Sequence, residues 1–334
     1  MKVLGIETSC DETSAAVVED GQCILSNKIA TQLDLLSKYG GVVPEIAARR
    51  HVELIGYVIE SALAEPGIGL KEIDAVAVTA RQGLIGCLLV GVAAAKTLSY
   101  ALGKPLIGLH HIEGHIFSGM LSNPQMGFPQ ICLTVSGGHT MLIYVKEPLD
   151  YKLIGTTLDD AAGEAFDKTA KFFNLGFPGG PVMDRLAASG NPKAIRFPRP
   201  LLRAGNFDFS FSGLKTSVIN MFKESVAKGE PLPLADIAAS FQEAIVDVLV
   251  TKTMDTAREY GVDTVSVTGG VSANSRLRAA MTEAGKRHGL AVNIPALSLC
   301  TDNAAMIAAA GYARLYCGET SPLDMDVVPN ALLV

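Results

Sequence analysis

Positive charge and paired cysteines are both scarce in this sequence. The chain carries 28 lysines and arginines against 34 aspartates and glutamates, a net charge of −6, whereas proteins that grip nucleic acid unaided are usually basic. Any nucleic-acid contact is therefore expected from a local basic patch or from a partner. The cysteines lack the close spacing of a zinc ribbon or a disulfide framework, and they indicate free thiols in a reducing compartment. They are Cys10, Cys23, Cys87, Cys132, Cys300 and Cys317.

Long uninterrupted hydrophobic runs are also missing. The most apolar stretch, residues 83–102, is broken by glycines, Lys96 and Ser99, so it predicts a buried helix rather than a membrane span. The first residues become polar within six positions, and we expect no signal peptide and a cytoplasmic location. With 334 residues, 49% of them hydrophobic and 19% charged, the composition predicts a soluble globular protein with room for two domains.

Two histidines four residues apart are the strongest candidate ligands. If residues 111–115 are helical, His111 and His115 lie on one face, one turn apart, as two nitrogen ligands of one metal ion often do. The alternative is a helix start with unligated histidines. Asp302, which precedes an alanine-rich segment, is either a helix N-cap or a third ligand that completes a set of two histidines and one carboxylate.

The nearby Glu113 suggests a zinc metalloprotease, but its position is wrong for one. In that motif the glutamate directly follows the first histidine, whereas Glu113 comes two residues after His111. Two residues turn a helix by roughly 200°, so the carboxylate points away from a metal on the histidines. The metalloprotease hypothesis is therefore weak.

A strand, polar turn, strand pattern occurs twice. Strands at 2–6 and 14–18 enclose a polar run. In this run, Asp11 and Glu12 carry the carboxylates that could take part in binding or catalysis. This turn either orients a phosphate or hydrated metal or is a plain surface hairpin. Strands at 131–135 and 141–145 enclose a Ser-Gly-Gly turn, which is either an anion-binding nest or ordinary hairpin chemistry. The repeat predicts a duplicated domain.

The rest of the chain predicts strands that alternate with helices, and hence an α/β fold with a partly parallel sheet. A strand at 264–268 runs into a Gly-Gly turn, as on the nucleotide side of many α/β proteins. Two basic stretches have open interpretations. Arg49, Arg50 and His51 form a solvated helix face or a nucleic-acid contact. The loop 191–215, with Arg196, Arg199, Arg203 and several phenylalanines, packs over the core or accepts a polynucleotide.

Taken together, these stretches resemble the bacterial tRNA N6-adenosine threonylcarbamoyltransferase family, TsaD, once described as glycoproteases. The resemblance covers essentially the whole chain. The matching motifs are GIETSCDET (5–13), GGVVPE (40–45), HIEGH (111–115), VSGGHT (135–140), DDAAGEAFDK (159–168), PGGP (178–181), FSFSGLK (209–215) and GGVSAN (269–274).

The resemblance implies the actin-like ATPase fold of sugar kinases and heat-shock chaperone ATPases, with two duplicated ribonuclease-H-like lobes and a cleft between them. The N-terminal lobe is expected to comprise residues 1–125 plus 303–334, and the C-terminal lobe residues 126–302. The implied reaction moves a threonylcarbamoyl group from threonylcarbamoyl-AMP to N6 of the adenosine beside the anticodon, in tRNAs for codons that start with A.

The resemblance also implies which residues form the sites. His111, His115 and Asp302 are expected to hold one divalent metal, usually described as iron, with zinc or magnesium as alternatives. The expected partners are tRNA, the paralogous subunit TsaB and the ATPase TsaE, with a homodimer as an alternative assembly. The residues expected to hold the adenylate are Thr134, Val135, Ser136, Gly137, Gly138, Asp167, Gly180, Asp184 and Asn274.

The implied reaction also needs a general base, since adenine N6 must lose a proton as it attacks the threonylcarbamoyl group. Asp11 or Glu12 is the hypothesis, motivated only by the carboxylates of the first hairpin.

One turn departs from the family, which usually has Gly-Pro-Gly-Leu where this chain has Arg81-Gln82-Gly83-Leu84. The alternative functions are an ATP-dependent small-molecule kinase of the same fold and a nucleotide-binding scaffold without catalysis.

Overall fold

The computed structural model describes residues 1–202 and 205–333, and the chain divides into two compact units. Unit 1 comprises Met1–Met126 and Pro295–Val334, and unit 2 comprises Gly127–Ile294. The chain thus returns to unit 1 at Pro295, earlier than the boundary at residue 303 that the sequence predicts. Arg203, one member of the predicted basic loop, lies outside the described residues.

Unit 1 is a mixed sheet with helices packed against it. Its strands are β1 (Lys2–Glu7), β2 (Glu12–Glu19), β3 (Cys23–Thr31), β4 (Ala75–Arg81) and β5 (Leu106–His110). Its helices are α1 (Leu33–Leu36), α2 (Pro44–Ala64), α3 (Ile85–Leu102), α4 (His111–Ser122) and, after the return, α10 (Ala304–Tyr316).

The sheet of unit 1 has the order β3-β2-β1-β4-β5. Strands β1, β2 and β3 run antiparallel, while β1, β4 and β5 run parallel. The central strands read as nearly continuous runs of small and branched apolar residues, because helices cover both faces of a parallel sheet. α10 packs against β1 and β4, and also against α4. This packing brings the segment before α10 to the start of α4.

Unit 2 repeats this plan. Its strands are β6 (Gln130–Val135), β7 (Thr140–Glu147), β8 (Asp150–Thr156), β9 (Thr264–Thr268) and β10 (Ala291–Asn293). Its helices are α5 (Ala162–Phe172), α6 (Gly179–Ala187), α7 (Ser212–Ala227), α8 (Leu234–Tyr260) and α9 (Ser275–His288). The sheet order β10-β9-β6-β7-β8 is the order of unit 1 read from the other edge. The predicted duplication is therefore confirmed.

α3 is long and apolar enough to cross a membrane by length and composition, with a mean hydropathy of 1.7. It packs against β4 and α2, and one side is buried through residues such as Cys87, Leu88 and Val92. Other apolar side chains of the helix are exposed, among them Ile85 and Tyr100. The helix is thus only partly buried, whereas the sequence predicts a buried helix.

Parts of the two basic stretches are buried in the fold. His51 is completely buried rather than part of a solvated face or a nucleic-acid contact, so that prediction is wrong for this residue. Arg50 is exposed and pairs with Glu53 on its own helix. In the loop 191–215, Phe209 and Phe211 are fully buried in the core, as expected for a loop packed over it.

Candidate functional site

The two predicted metal histidines lie at the start of α4. β5 ends at His110, which caps the helix because its ring Nδ1 accepts the Ile112 N–H at 3.1 Å. His111 is then the first helical residue and His115 follows one turn later, so both side chains emerge on one side. Their ring centroids are 4.7 Å apart and nearly perpendicular. Both rings are buried.

Asp302 completes the cluster from the segment before α10. Its Oδ1 lies 3.2 Å from His115 Nε2 and 3.6 Å from His111 Nε2, and one ligand atom of each residue lies within 4.8 Å of the others. Asp302 does not cap α10, so that alternative is wrong. Asn303 is the cap, since its side chain accepts the Met306 N–H at 3.1 Å. Asp302 is therefore directed to the histidines instead.

The polar atoms of this cluster fit a cation. Although Asp302 Oδ1 lies close to Nε2, neither ring nitrogen of the fully buried His115 makes a hydrogen bond within the described part of the chain, and such buried atoms call for an explanation. Burial by itself lowers the pKa of His111, but the carboxylates of Asp302 and Glu7 raise it to about 9. Two imidazoles and a carboxylate are also a common donor set for a divalent transition metal. The residues present thus fit a bound metal ion.

Glu113 takes no part in this cluster. It is completely buried, and its carboxylate accepts the Arg314 Nε–H at 3.0 and 3.1 Å, while Arg314 Nη2 lies 3.0 Å from Glu113 Oε1. A carboxylate held in this bidentate way by α10 is not free to activate water. The pair joins α4 to α10, the two helices next to the cluster, and the predicted misplacement of Glu113 for protease chemistry agrees with this arrangement.

The first hairpin turn brings Asp11 and Glu12 to the edge of unit 1, at the carboxyl end of β1. Burial raises the pKa of Glu12 to about 10, and the nearby Asp11 and Asp302 add to the effect. His51 of α2 holds this turn, since its Nδ1 lies 2.7 Å from Thr13 Oγ1 and its Nε2 lies 3.0 Å from the Cys10 carbonyl oxygen. The turn is thus a braced structure rather than a loose surface hairpin.

The predicted adenylate residues all lie in unit 2. Thr134 and Val135 end β6, and the turn Ser136-Gly137-Gly138 follows. The turn is braced where the Ser136 carbonyl accepts the Gly163 N–H of α5 at 3.2 Å. A Cβ added at Gly137 or Gly138 would meet nothing within 4 Å. The two glycines therefore form an open cradle beside a rigid support, as an anion-binding turn requires.

The other predicted adenylate residues link neighbouring helices. Asp167 of α5 accepts the Gly179 N–H at 2.6 Å at the start of α6. Asp184 of α6 accepts from the Ser275 N–H and hydroxyl at 3.0 and 2.8 Å. Asn274 caps α9 through its contact with the Leu277 N–H. The helix starts that carry Gly180 and Asn274 are thus held by carboxylate and amide bonds.

The sequence interpretation missed two partners of residues at or next to the candidate metal cluster. Arg314 could not be matched to Glu113 because 201 residues separate them. Glu7 was taken as part of a polar turn, yet it ends β1 and is completely buried beside His111. A single carboxylate that closes an apolar strand is the feature that could have identified it, since isolated charges are rarely buried without a partner.

Comparison with known proteins places these features in a family. Residues 23–309 match the family model described as TsaD, tRNA N6-adenosine threonylcarbamoyltransferase. The enzyme of that name from Synechococcus sp. (strain JA-3-3Ab) is 52% identical over 100% of this chain and 93% of its own length. The one from Moorella thermoacetica is 50% identical over 98% of this chain and 96% of its own length.

Solved structures with far lower identity share the fold. HypF from T. kodakarensis is 14% identical, with a TM-score of 0.63 over 95% of this chain and 48% of that chain. Component A of the Acidaminococcus fermentans (R)-2-hydroxyglutaryl-CoA dehydratase is 15% identical, with a TM-score of 0.57 over 95% and 99% of the two chains. Their likeness confirms the actin-like ATPase fold. From its relatives and the family model, the chain belongs to the tRNA N6-adenosine threonylcarbamoyltransferase family, whose members form N6-threonylcarbamoyladenosine in tRNA.

Proposed function

We propose that this transferase takes the threonylcarbamoyl group from threonylcarbamoyl-AMP and places it on N6 of the adenosine beside the anticodon, in tRNAs for codons that start with A. The observation that supports this most directly is the cluster of His111, His115 and Asp302 in a chain of this family. The donor is a mixed anhydride and already activated. The protein therefore needs to bind, orient and deprotonate rather than to make a phosphate bond.

The metal ion of this metal-dependent family is proposed to be iron, with zinc or magnesium as alternatives. His111, His115 and Asp302 would hold it, because they are the described residues whose donor atoms meet in one place. When bound, such an ion polarises an acyl oxygen as a Lewis acid. Burial of both histidines keeps water away from the donor atoms and strengthens their interaction with any cation.

The AMP part of the donor is proposed to bind unit 2. Gly137 and Gly138 of the turn, and Gly180 at the start of α6, are proposed to offer backbone N–H groups to the phosphate, and a Cβ at Gly180 would also meet open space. Thr134, Val135, Asp167, Asp184 and Asn274 are proposed to orient the nucleoside.

The proton of adenine N6 is proposed to pass to a carboxylate of the first hairpin. Asp11 and Glu12 are the candidates. Burial raises the pKa of Glu12 to about 10, and a carboxylate with a raised pKa accepts a proton more strongly than an ordinary one. Both residues stay candidates for the acceptor.

The chain is proposed to work in the cytoplasm with tRNA, the paralogous subunit TsaB and the ATPase TsaE, with a homodimer as the alternative assembly. Its net charge of −6 supports a need for help in holding tRNA. α2 and α3 pack against each other and expose large apolar side chains, which supports a protein partner on these helices. These side chains are Val52, Tyr57, Ile85, Leu89 and Tyr100.

The test is mass spectrometry of nucleosides from unmodified tRNA incubated with the chain, its partners and synthetic threonylcarbamoyl-AMP. We expect threonylcarbamoyladenosine with wild type and a loss of it with Asp11→Asn or with Glu12→Gln. Product formation that survives both Asp11→Asn and Glu12→Gln would contradict the assignment of the base. ATP consumption without tRNA would favour a small-molecule kinase, and nucleotide binding without any product would favour a scaffold.

A further inference from the structure

Glu7 is a fully buried carboxylate at the end of β1, and neighbouring groups hold it in place. Its Oε1 accepts the Ser9 N–H at 2.5 Å, and its Oε2 accepts the Thr79 hydroxyl at 2.6 Å. Thr79 belongs to β4, the parallel neighbour of β1. These two donors fix the orientation of the carboxylate at the end of β1.

The same carboxylate reaches the ring of His111. Glu7 Oε2 lies 3.3 Å from His111 Nδ1, and Ser9 Oγ lies 3.1 Å from the same nitrogen. An ionised carboxylate only accepts hydrogen bonds, so the contact is favourable when Nδ1 bears the proton. In neutral imidazole that proton leaves the lone pair on Nε2. His111 Nε2 is the nitrogen on the side of Asp302, 3.6 Å from its Oδ1.

We propose that Glu7 is a positioning residue for the metal cluster, which fixes His111 with its proton on Nδ1 and directs Nε2 to the metal. This inference rests on the metal role proposed above for His111, His115 and Asp302. Carboxylates that bind the outer nitrogen of a metal-bound histidine set its tautomer and raise its basicity, and their loss weakens metal binding. Within the described residues, His115 has no carboxylate bonded to its Nδ1. His111 is therefore the histidine whose ring orientation an acidic residue sets.

The affinity for Zn²⁺ alone, measured by competition with a chelating indicator at one fixed pH, tests this role. Glu7→Gln keeps the shape, but its NH₂ must face a donor, either Ser9 N–H or the groups at Oε2. We expect this variant to bind Zn²⁺ about ten- to a hundred-fold more weakly. Thr79→Val is the matched control, since it removes a donor from the same carboxylate without touching His111. We expect it to stay within about three-fold of wild type.

Ser9→Ala separates the two partners of Nδ1. A loss of Zn²⁺ affinity in Ser9→Ala but not in Glu7→Gln would overturn the proposal, because Ser9 would then be the positioning group. Unchanged affinity in a folded Glu7→Gln variant would overturn it as well. If wild type bound no Zn²⁺, or if Asp302→Ala bound Zn²⁺ as tightly as wild type, the proposed metal site would be wrong. The proposed role of Glu7 would then be wrong as well.

Nitrogen-15 spectra of histidine-labelled, Zn²⁺-loaded wild type give a second readout that does not depend on a variant's folding. The His111 resonances are assigned by their absence in His111→Ala. We expect a protonated Nδ1 and a metal-shifted Nε2 for this ring. A protonated Nε2, with zinc on Nδ1, would overturn the proposal, because Glu7 would then have no proton to accept.

Discussion

Glu113 and Arg314 form a buried bidentate pair that ties α4 to α10, with the Arg314 Nε 3.0 and 3.1 Å from the two carboxylate oxygens. Glu113 is completely buried, whereas Arg314 is partly exposed and also contacts Glu319. The glutamate lies between His111 and His115, the two proposed metal ligands, in the sequence, yet it serves the packing of the helices that carry them. The pair is thus a structural support for the cluster rather than a part of its chemistry.

Loss of the arginine should be costly because it leaves a buried charge without a partner. We expect Arg314→Met to lower the free energy of unfolding by about 3–5 kcal/mol, measured by urea denaturation. Arg314→Met combined with Glu113→Leu should recover part of that loss, since the double variant buries no charge. A single variant as stable as wild type would show that the pair does not hold α4 to α10.

The buried His51 should make the protein sensitive to mild acid. Burial lowers the pKa of His51 below its ordinary value of 6.5, so the unfolded chain takes up this proton at a higher pH than the folded chain does. The associated stability is complete above about pH 6.5 and is lost as the pH falls through the folded-state pKa. Protonated Nδ1 also could not accept the Thr13 hydroxyl.

The measurement is the free energy of unfolding of wild type and His51→Gln between neutral pH and pH 5. We expect the wild type to lose more stability over this range than the variant, which cannot titrate at that position. His288→Gln, a change at an exposed histidine of α9, serves as the control. If stability changed with pH equally in wild type and His51→Gln, the account in which neutral His51 holds the first hairpin turn would be wrong.

The turn that departs from the family pattern binds the C-terminal segment. Gln82 has a φ of 62°, and its N–H donates to the Val328 carbonyl at 3.0 Å. Proline cannot adopt that φ, and it has no N–H to donate to the Val328 carbonyl. We expect Gln82→Gly to stay within about 1 kcal/mol of wild type in unfolding free energy. We expect Gln82→Pro, the residue usual in the family, to speed amide hydrogen exchange in residues 321–331. Equal exchange in both variants would contradict this.

Two adjacent glycines at the start of α6 should respond differently to alanine. A Cβ at Gly180 meets nothing within 4 Å, whereas one at Gly179 would lie 2.7 Å from Asp167 Cα. We expect Gly179→Ala to lower the unfolding free energy by about 1–3 kcal/mol. Gly180→Ala should leave stability unchanged but weaken AMP binding about ten-fold, as one methyl placed against a ligand would. Calorimetry of AMP binding measures this, and unchanged affinity would remove Gly180 from the adenylate site.

The sequence predicted the local parts of this structure well. β9 covers residues 264–268, as the sequence indicated, because this pattern lies within one continuous segment. The hairpins, the repeat and the helical spacing of His111 and His115 are local in the same way. The predicted trio also comes together, although the residues alone left Asp302 as either a helix cap or a third ligand.

What the sequence did not predict depends on contacts between distant segments. Burial of His51 follows from its packing under the first hairpin, and a basic neighbourhood such as Arg49 and Arg50 suggested solvent instead. Asp302 and Asn303 are both good capping residues, and only the three-dimensional structure shows which one turns to the helix. The partners of Glu7 and Glu113 come from other strands and helices, where sequence periodicity holds no information.

The metal content of the purified protein tests the central claim most directly. Elemental analysis of protein prepared without oxygen should find about one transition-metal ion per chain, and it identifies the metal at the same time. His115→Ala and Asp302→Ala should contain almost none, while Thr301→Ala, a change at the exposed neighbour of Asp302, should keep the ion. Full metal content in a folded Asp302→Ala or His115→Ala variant would contradict the assignment of the metal to this cluster.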